Sequence, residues 1–301
     1  MTLPYAGVAS FMRAPLAALD GSWRADAGVL GVPFDLALGY RPGARFAPRV
    51  IRDASLRYAL PEGGFYDLET NQVKLARLSL RDVGDVNLPS LEPELARERT
   101  EQAASALRQH VQLPIFLGGD HSVTFPILRA FHDVPELHVV QFDAHLDFSD
   151  WRNDTRFSNS SPFRRATEAL PNLVHITTVG LRGLRFDAEA VRAARARGHT
   201  LMPAWELNDL NEAASRLPRG KAVYLSVDVD VFDPGLLPAT SSPEVEGLNY
   251  TQVMGLIRAT LQYNTVVGLD LVEFSPPLDT NGSGALLLAR LLAETLTQLF
   301  P

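Results

Sequence analysis

Short apolar runs rich in β-branched residues alternate with longer stretches of helical periodicity along the 301-residue chain. Runs at 28–33, 114–117, 137–142, 173–179, 200–203, 222–227 and 265–272 read as strands, with 82–86 as a further short one. Helices are expected at 91–110 behind Ser90 as N-cap with Pro93 in the first turn, at 188–197 behind Asp187, and at 250–261 behind Asn249. Residues 283–300 are apolar on most faces, the pattern of a helix buried against a sheet. Strands that are continuous apolar runs, such as 137–142, suit a sheet covered on both faces. Alternating β and α elements predict parallel strands joined by right-handed crossovers. The pattern shows no linker, charge block, repeat or low-complexity tract, so one α/β domain over 1–301 is expected. The stretch 148–165 reads as a long polar loop rich in Ser and Asn, a length usually reserved for function or disorder.

Composition narrows the function. The chain carries 28 Lys and Arg against 35 Asp and Glu, a net charge of −7. That argues against nucleic acid as a partner and leaves room for a cationic substrate. There is no cysteine, which excludes disulfides, thiolate nucleophiles, iron–sulfur clusters and Cys-based zinc sites. The longest apolar stretch, 285–299, is broken by Arg290 and Glu294, short of the roughly 20 residues of a spanning helix. Residues 1–15 do not read as a signal peptide, so no membrane partner and a cytoplasmic location are expected.

Three segments put metal-ligand residue types where open α/β sheets bind ligands, beyond the carboxyl ends of strands. Gly118-Gly119-Asp120-His121-Ser122 follows the run at 114–117, Asp143-Ala144-His145-Leu146-Asp147 follows 137–142, and Asp228-Val229-Asp230 closes 222–227. In extended chain, residues two apart point the same way, so Asp143, His145 and Asp147 can converge, as can Asp228 and Asp230. One Asp at a strand end is usually a cap or turn former. Four carboxylates and two imidazoles gathered at one sheet edge would instead repel strongly unless cations sat between them. Two divalent cations balance four aspartates, the arrangement of two-metal hydrolytic sites. His138 and His175 are expected as packed sheet residues, Asp82 and Asp85 as structural turn residues, and Arg164 and Arg165 as partners of local carboxylates. The 41–46 loop suits either a subunit contact or the lead-in to a helix.

Together these motifs resemble the ureohydrolase family of agmatinases and arginases: GGDHS at 118–122, DAHLD at 143–147 and SVDVDVFDP at 226–234. The likeness continues through GVPFD at 31–35, RPGARF at 41–46, SPFRR at 161–165, Pro243-Glu244 and GLDLVE at 268–273, and so covers most of the chain. The 31–46 and 161–165 segments look more like agmatinases, bacterial ones in particular, than arginases.

The resemblance implies an arginase/deacetylase-like three-layer α/β/α fold with a mainly parallel eight-stranded sheet, in trimers or hexamers. It implies two Mn²⁺ ions bridged by hydroxide or water. One would take His121, Asp143, Asp147 and Asp228, and the other Asp143, His145, Asp228 and Asp230. Manganese also suits oxygen and imidazole donors without thiolate. The implied reaction is hydrolysis of agmatine to putrescine and urea. Asp147 would pass the water proton to the leaving amine, and Glu273 would hold the small cationic guanidino substrate by paired charge-assisted hydrogen bonds. Guanidinobutyrase, arginase or formiminoglutamase activity are alternatives. A two-metal phosphoesterase would need cationic residues to bind phosphate, which Glu273 would repel, and a non-catalytic metal-stabilised homologue has six intact ligands against it. Two departures stand out. Asn159 occupies the place of a family His with a proton-shuttle role, where it can bind substrate but not titrate near neutrality. Ala239-Thr240-Ser241-Ser242 replaces Gly-Thr-Gly-Thr before Pro243-Glu244.

Overall fold

The apolar runs assemble into one sheet with apolar residues on both of its faces. The computed structural model describes residues 3–300. Its strands are β1 (Ala25–Gly31), a small hairpin of β2 (Phe65–Asp67) and β3 (Gln72–Lys74), β4 (Leu80–Asp85), β5 (Val111–Leu117), β6 (Leu137–Phe142), β7 (Leu173–Leu181), β8 (Thr200–Pro203), β9 (Ala222–Asp228) and β10 (Thr265–Val272). Eight of them form a sheet in the order β4-β1-β5-β10-β9-β6-β7-β8, and every neighbouring pair is parallel. The helices are α1 (Ala47–Ser55), α2 (Pro93–His110), α3 (Thr124–Arg129), α4 (Pro162–Ala169), α5 (Ala188–Ala196), α6 (Leu210–Ser215), α7 (Tyr250–Tyr263) and α8 (Ser283–Leu299).

Side chains alternate across the sheet and divide the core in two. Ile115, Leu225 and Leu271 pack with Ile51 of α1, Ile257 of α7 and Leu288 of α8. Their chain neighbours Phe116 and Tyr224 face the other way, into Leu107 of α2, Ile127 of α3 and Phe163 of α4. The result is the expected three-layer α/β/α fold, because a strand residue and its successor must find cover on opposite faces. Each fully buried Leu, Ile or Phe contributes about 1.5–3 kcal/mol over its exposed state. Among the described residues, no helix is long and apolar enough to cross a membrane.

Local signals held where a side chain could act on the backbone. Asp187 accepts the Glu189 amide at 2.9 Å to cap α5, and Asn249 and Gln252 form a reciprocal capping box at α7. Ser90 does not cap α2. The proline at the first helical position sets the start, Glu92 occupies the cap position and no side chain bonds there. The polar loop expected to reach Arg165 ends at Ser161, because Pro162 again opens a helix. Asp82 is a buried residue of β4 rather than a turn former. It accepts Phe11 N at 2.7 Å, Gly84 N at 2.9 Å and Arg52 Nε at 2.8 Å, while Asp85 takes Arg52 Nη1 at 2.6 Å. The 41–46 loop leads into a helix. Asp35 accepts the amides of Gly43 and Arg45 and pairs with the Arg45 guanidinium, folding a 3-10 turn at Ala44–Phe46 that runs directly into α1.

His138 and His175 are packed sheet residues as expected, and His199 extends them into a row with ring centroids 5.7 and 5.9 Å apart. Burial, reinforced by His175 and Arg197, holds His199 down to about 4. An unfolded histidine titrates near 6.5, so as pH falls the unfolded chain takes up the proton first and the fold loses stability from about pH 6.5 towards 4. Between pH 7.5 and 4.5, wild type should lose about 2–3 kcal/mol more stability than His199→Asn. Urea unfolding at each pH measures this, and parallel curves would show that His199 takes up no proton on unfolding.

Candidate metal centre

β5, β10, β9 and β6 are neighbours at the middle of the sheet, and their carboxyl ends carry the candidate metal ligands and Glu273. Strands β5 and β6 follow one another in the chain but lie on either side of β10 and β9, so the crevice opens where the strand order reverses.

The three motifs turn by the same device. Asp120 Oδ1 accepts Ser122 N at 2.9 Å, Asp143 Oδ1 accepts His145 N at 2.6 Å, and Asp228 Oδ1 accepts Asp230 N at 2.8 Å. Each aspartate thus folds the chain back as it leaves its strand. Extended chain does not produce this convergence. Residues 143–147 are irregular and Asp230 sits in a 3-10 turn, so convergence comes from these turns. It also comes from Asp147, at φ 48°, and Glu273, at φ 66°, two non-glycine residues held in left-handed backbone at the site. Gly119 is required for a different reason: a Cβ there would collide with the carbonyl of Phe34.

Two donor sets result. His121, Asp143, Asp147 and Asp228 bring one atom each within 4.8 Å of one another, as do Asp143, His145 and Asp230. Asp143 is common to both. Asp228, expected to bridge as well, belongs to the first set. His121 Nδ1 lies 2.9 Å from Asp147 Oδ2 and 3.2 Å from both Asp143 Oδ2 and Asp228 Oδ2, fully buried and without a hydrogen bond. The opposite ring nitrogen explains why. His121 Nε2 is 3.0 Å from Ser226 Oγ, whose own hydrogen is donated to Asp270 Oδ1 at 2.7 Å. Ser226 can then only accept, Nε2 carries the ring hydrogen, and Nδ1 turns a lone pair towards three carboxylates. A lone pair among anionic oxygens is repulsive until a cation lies between them, so this donor set fits a metal ion.

Charge tells the same story. Burial, with Asp230 and Asp143 nearby, pushes Asp228 well above the ordinary carboxylate range. Burial and Asp143 push Asp147 up to about 6. Burial opposes a charged His121, but Asp143, Asp147 and Asp228 outweigh it and raise that imidazole. Burial and Asp120 push Glu273 up to about 8. This is a pocket with too much negative charge for its burial.

Glu273 is fully enclosed beside this cluster. Oε1 accepts His121 N at 2.9 Å and Asn159 Nδ2 at 3.3 Å, and Oε2 accepts Ser241 Oγ at 3.0 Å. Asn159 thus joins the site through Glu273. Asp147, Asp228, Asp230, Asn159 and Glu273 all line one cavity of about 120 Å³, room for a slim linear molecule and not for a polymer. Arg164 and Arg165 stay outside it. Arg165 pairs with Asp150 at 2.5 Å, stitching the preceding loop to α4, and Arg164 pairs with Glu168 within that helix at 3.2 Å.

Sequence reasoning missed the supporting polar residues. Ser226 and Asp270 orient His121, Gln141 Nε2 donates to Asp143 Oδ2 at 2.6 Å, and Arg182 binds the carbonyls that hold the Asp228–Asp230 turn. One signal was available: each is a polar residue inside or at the end of an otherwise apolar buried strand.

A parallel three-layer α/β architecture with a two-part His/Asp centre at its switch point defines the class. The sequence matches the Arginase family over residues 25–297, and the chain belongs to that family. It is 35% identical to the guanidinobutyrase of Pseudomonas aeruginosa, over 97% of this chain and 92% of that one. It is 34% identical to the mitochondrial agmatinase of Gallus gallus, over 96% and 85% respectively. The structure superposes on proclavaminate amidino hydrolase from Streptomyces clavuligerus with a TM-score of 0.86 at 28% identity, covering 99% of both chains. The protein is accordingly a ureohydrolase, a hydrolase acting on linear amidines.

Proposed function

We propose that the chain hydrolyses the guanidinium group of a small linear guanidino compound, releasing urea and the corresponding amine. The observation that carries this reading is the buried Glu273 carboxylate, which lines the same narrow cavity as Asp147, Asp228 and Asp230. A guanidinium is a planar cation with paired N–H groups, the shape a carboxylate binds through two parallel hydrogen bonds. Its carbon is a poor electrophile because three nitrogens share the charge. Hydrolysis therefore needs a strong nucleophile and a protonated leaving amine.

His121, Asp143 and Asp147 with Asp228 would hold one divalent cation, and Asp143, His145 and Asp230 the second. Bound there, the pair offsets the carboxylate charge and supplies a nucleophile from water at neutral pH. Oxygen and imidazole donors without thiolate favour manganese over zinc. Asp147 accepts the proton lost by the water and returns it to the amine as the C–N bond breaks. Glu273 fixes the guanidinium carbon in line, and Asn159 and Ser241 fix Glu273.

Agmatine is the substrate the motifs imply, and guanidinobutyrate is its counterpart with a carboxylate in place of the ammonium. The test is urea release by the Mn²⁺-loaded protein from agmatine, 4-guanidinobutyrate, 3-guanidinopropionate and arginine, with formamide release from formiminoglutamate measured alongside. Turnover of at least one guanidino compound is expected. No urea from any of them would overturn the reading.

A further inference from the structure

The outer end of the cavity carries a charge pattern that bears on the substrate's tail. At the inner end are the carboxylates already described. The charged residues nearer solvent are Arg152, Arg185 and Asp187. Arg182 also lines the cavity, but its guanidinium donates to the carbonyls of Gly180, Asp230, Phe232, Glu244 and Val245. Asp187 turns one oxygen to the Glu189 amide as the cap of α5. Among the described residues, neither Arg152 nor Arg185 has a carboxylate partner for its guanidinium.

The two arginines come from the loops that follow the neighbouring strands β6 and β7, and both loops are braced. Arg152 opens a two-residue hairpin turn in which Arg152 N donates to Thr155 O at 3.0 Å and Thr155 N to Arg152 O at 3.2 Å. Asn153 and Asp154 sit at its tip with φ of 53° and 57°, the conformation such tight hairpins require. The Asn153 side chain packs on Gly39, where a Cβ would come within 2.6 Å of Asn153 Nδ2. Arg185 precedes Phe186, which lines the cavity wall, and the cap at Asp187 fixes where the loop ends.

Resting on the guanidine-hydrolysing reading above, we propose that Arg152 and Arg185 receive the carboxylate of an ω-guanidino acid. One slot thus has an anionic end for the guanidinium and a cationic end for the acid. An ammonium tail meets like charge at the same place, so the arginines select by repulsion as well as attraction.

The experiment compares kcat/KM of the Mn²⁺-loaded enzyme for 4-guanidinobutyrate, agmatine and the uncharged-tail analogue n-butylguanidine. Wild type should favour the acid over agmatine by at least about tenfold, equivalent to about 1.4 kcal/mol. In Arg152→Gln/Arg185→Gln the ratio of acid to n-butylguanidine should fall about tenfold, chiefly through KM. Arg152→Glu/Arg185→Glu should move the preference towards agmatine. Calorimetric binding of 4-guanidinobutyrate to an Asp147→Asn background, with and without the two Gln substitutions, reads the same subsite without turnover. A wild-type preference for agmatine, or an acid-to-neutral ratio unmoved by the double substitution, overturns the assignment. Urea from n-butylguanidine without any preference for the acid would refute this inference and leave the guanidine-hydrolysing reading standing. No urea from any of the three would refute both.

Discussion

Asp147→Asn should lower kcat by about 10²–10⁴, the range attached to losing a positioned proton carrier. The substitution keeps the shape of the side chain and removes its charge and its capacity to hold a proton near neutrality. The structure explains why this carboxylate is suited to the task. It lies 2.9 Å from His121 Nδ1 and faces the same cavity as Glu273. Steady-state kinetics combined with metal analysis separates the two roles of Asp147. A large fall in kcat with two metal equivalents retained identifies proton transfer. A parallel loss of metal would mark the residue as chiefly a ligand, and near-normal kcat would refute the proton role.

Removal of metal by a chelator should abolish turnover and destabilise the fold, more so at pH 7.5 than at pH 5.5. A ligand that binds only the folded state stabilises it by about 2.7 kcal/mol at 100 times its Kd. For a chain of 301 residues, that corresponds to a fall in Tm of about 4 °C on chelation. The pH dependence follows from the raised groups. Asp147 folds with its carboxyl near 6 against an unfolded value near 3.9, and Asp228 and His121 are raised as well. The metal-free fold therefore binds more protons than the unfolded chain. Its stability from these groups is complete at low pH and is lost as pH rises through the folded values. Metal requires the deprotonated ligands and has the opposite dependence. The gap in Tm between loaded and stripped protein should thus widen from pH 5.5 to 7.5, as read by scanning calorimetry. The difference cancels the separate acid sensitivity of His199. A gap independent of pH would mean that the six residues do not exchange protons for metal.

Much of this could be read from the chain, and the failures are instructive. The eight sheet strands were legible because burial on both faces forces continuous apolar runs such as 137–142. Caps at Asp187 and Asn249 were legible because a side-chain oxygen acts on an amide two or three residues away. Ser90 failed because Pro93 imposed a start that no side chain could move. The short α4 and α6 were missed because too few turns leave too few apolar positions to show a period.

The sequence by itself determined the chemistry available. Three aspartate-bearing strand ends, two histidines among them and no cysteine restrict the centre to oxygen and imidazole donors, and the motif order assigns the family. These are local properties, written within five residues of each strand end. Only the tertiary structure decided the rest. It placed β10 and β9 between β5 and β6, which brings Glu273 to His121 across 152 residues of chain. It put Ser226 and Asp270 behind His121, so that Nδ1 and not Nε2 faces the carboxylates. It turned Arg152 and Arg185 towards one cavity from two loops. Contacts between distant segments depend on strand order and register, which are fixed by the packing of the whole sheet and not by any window of sequence.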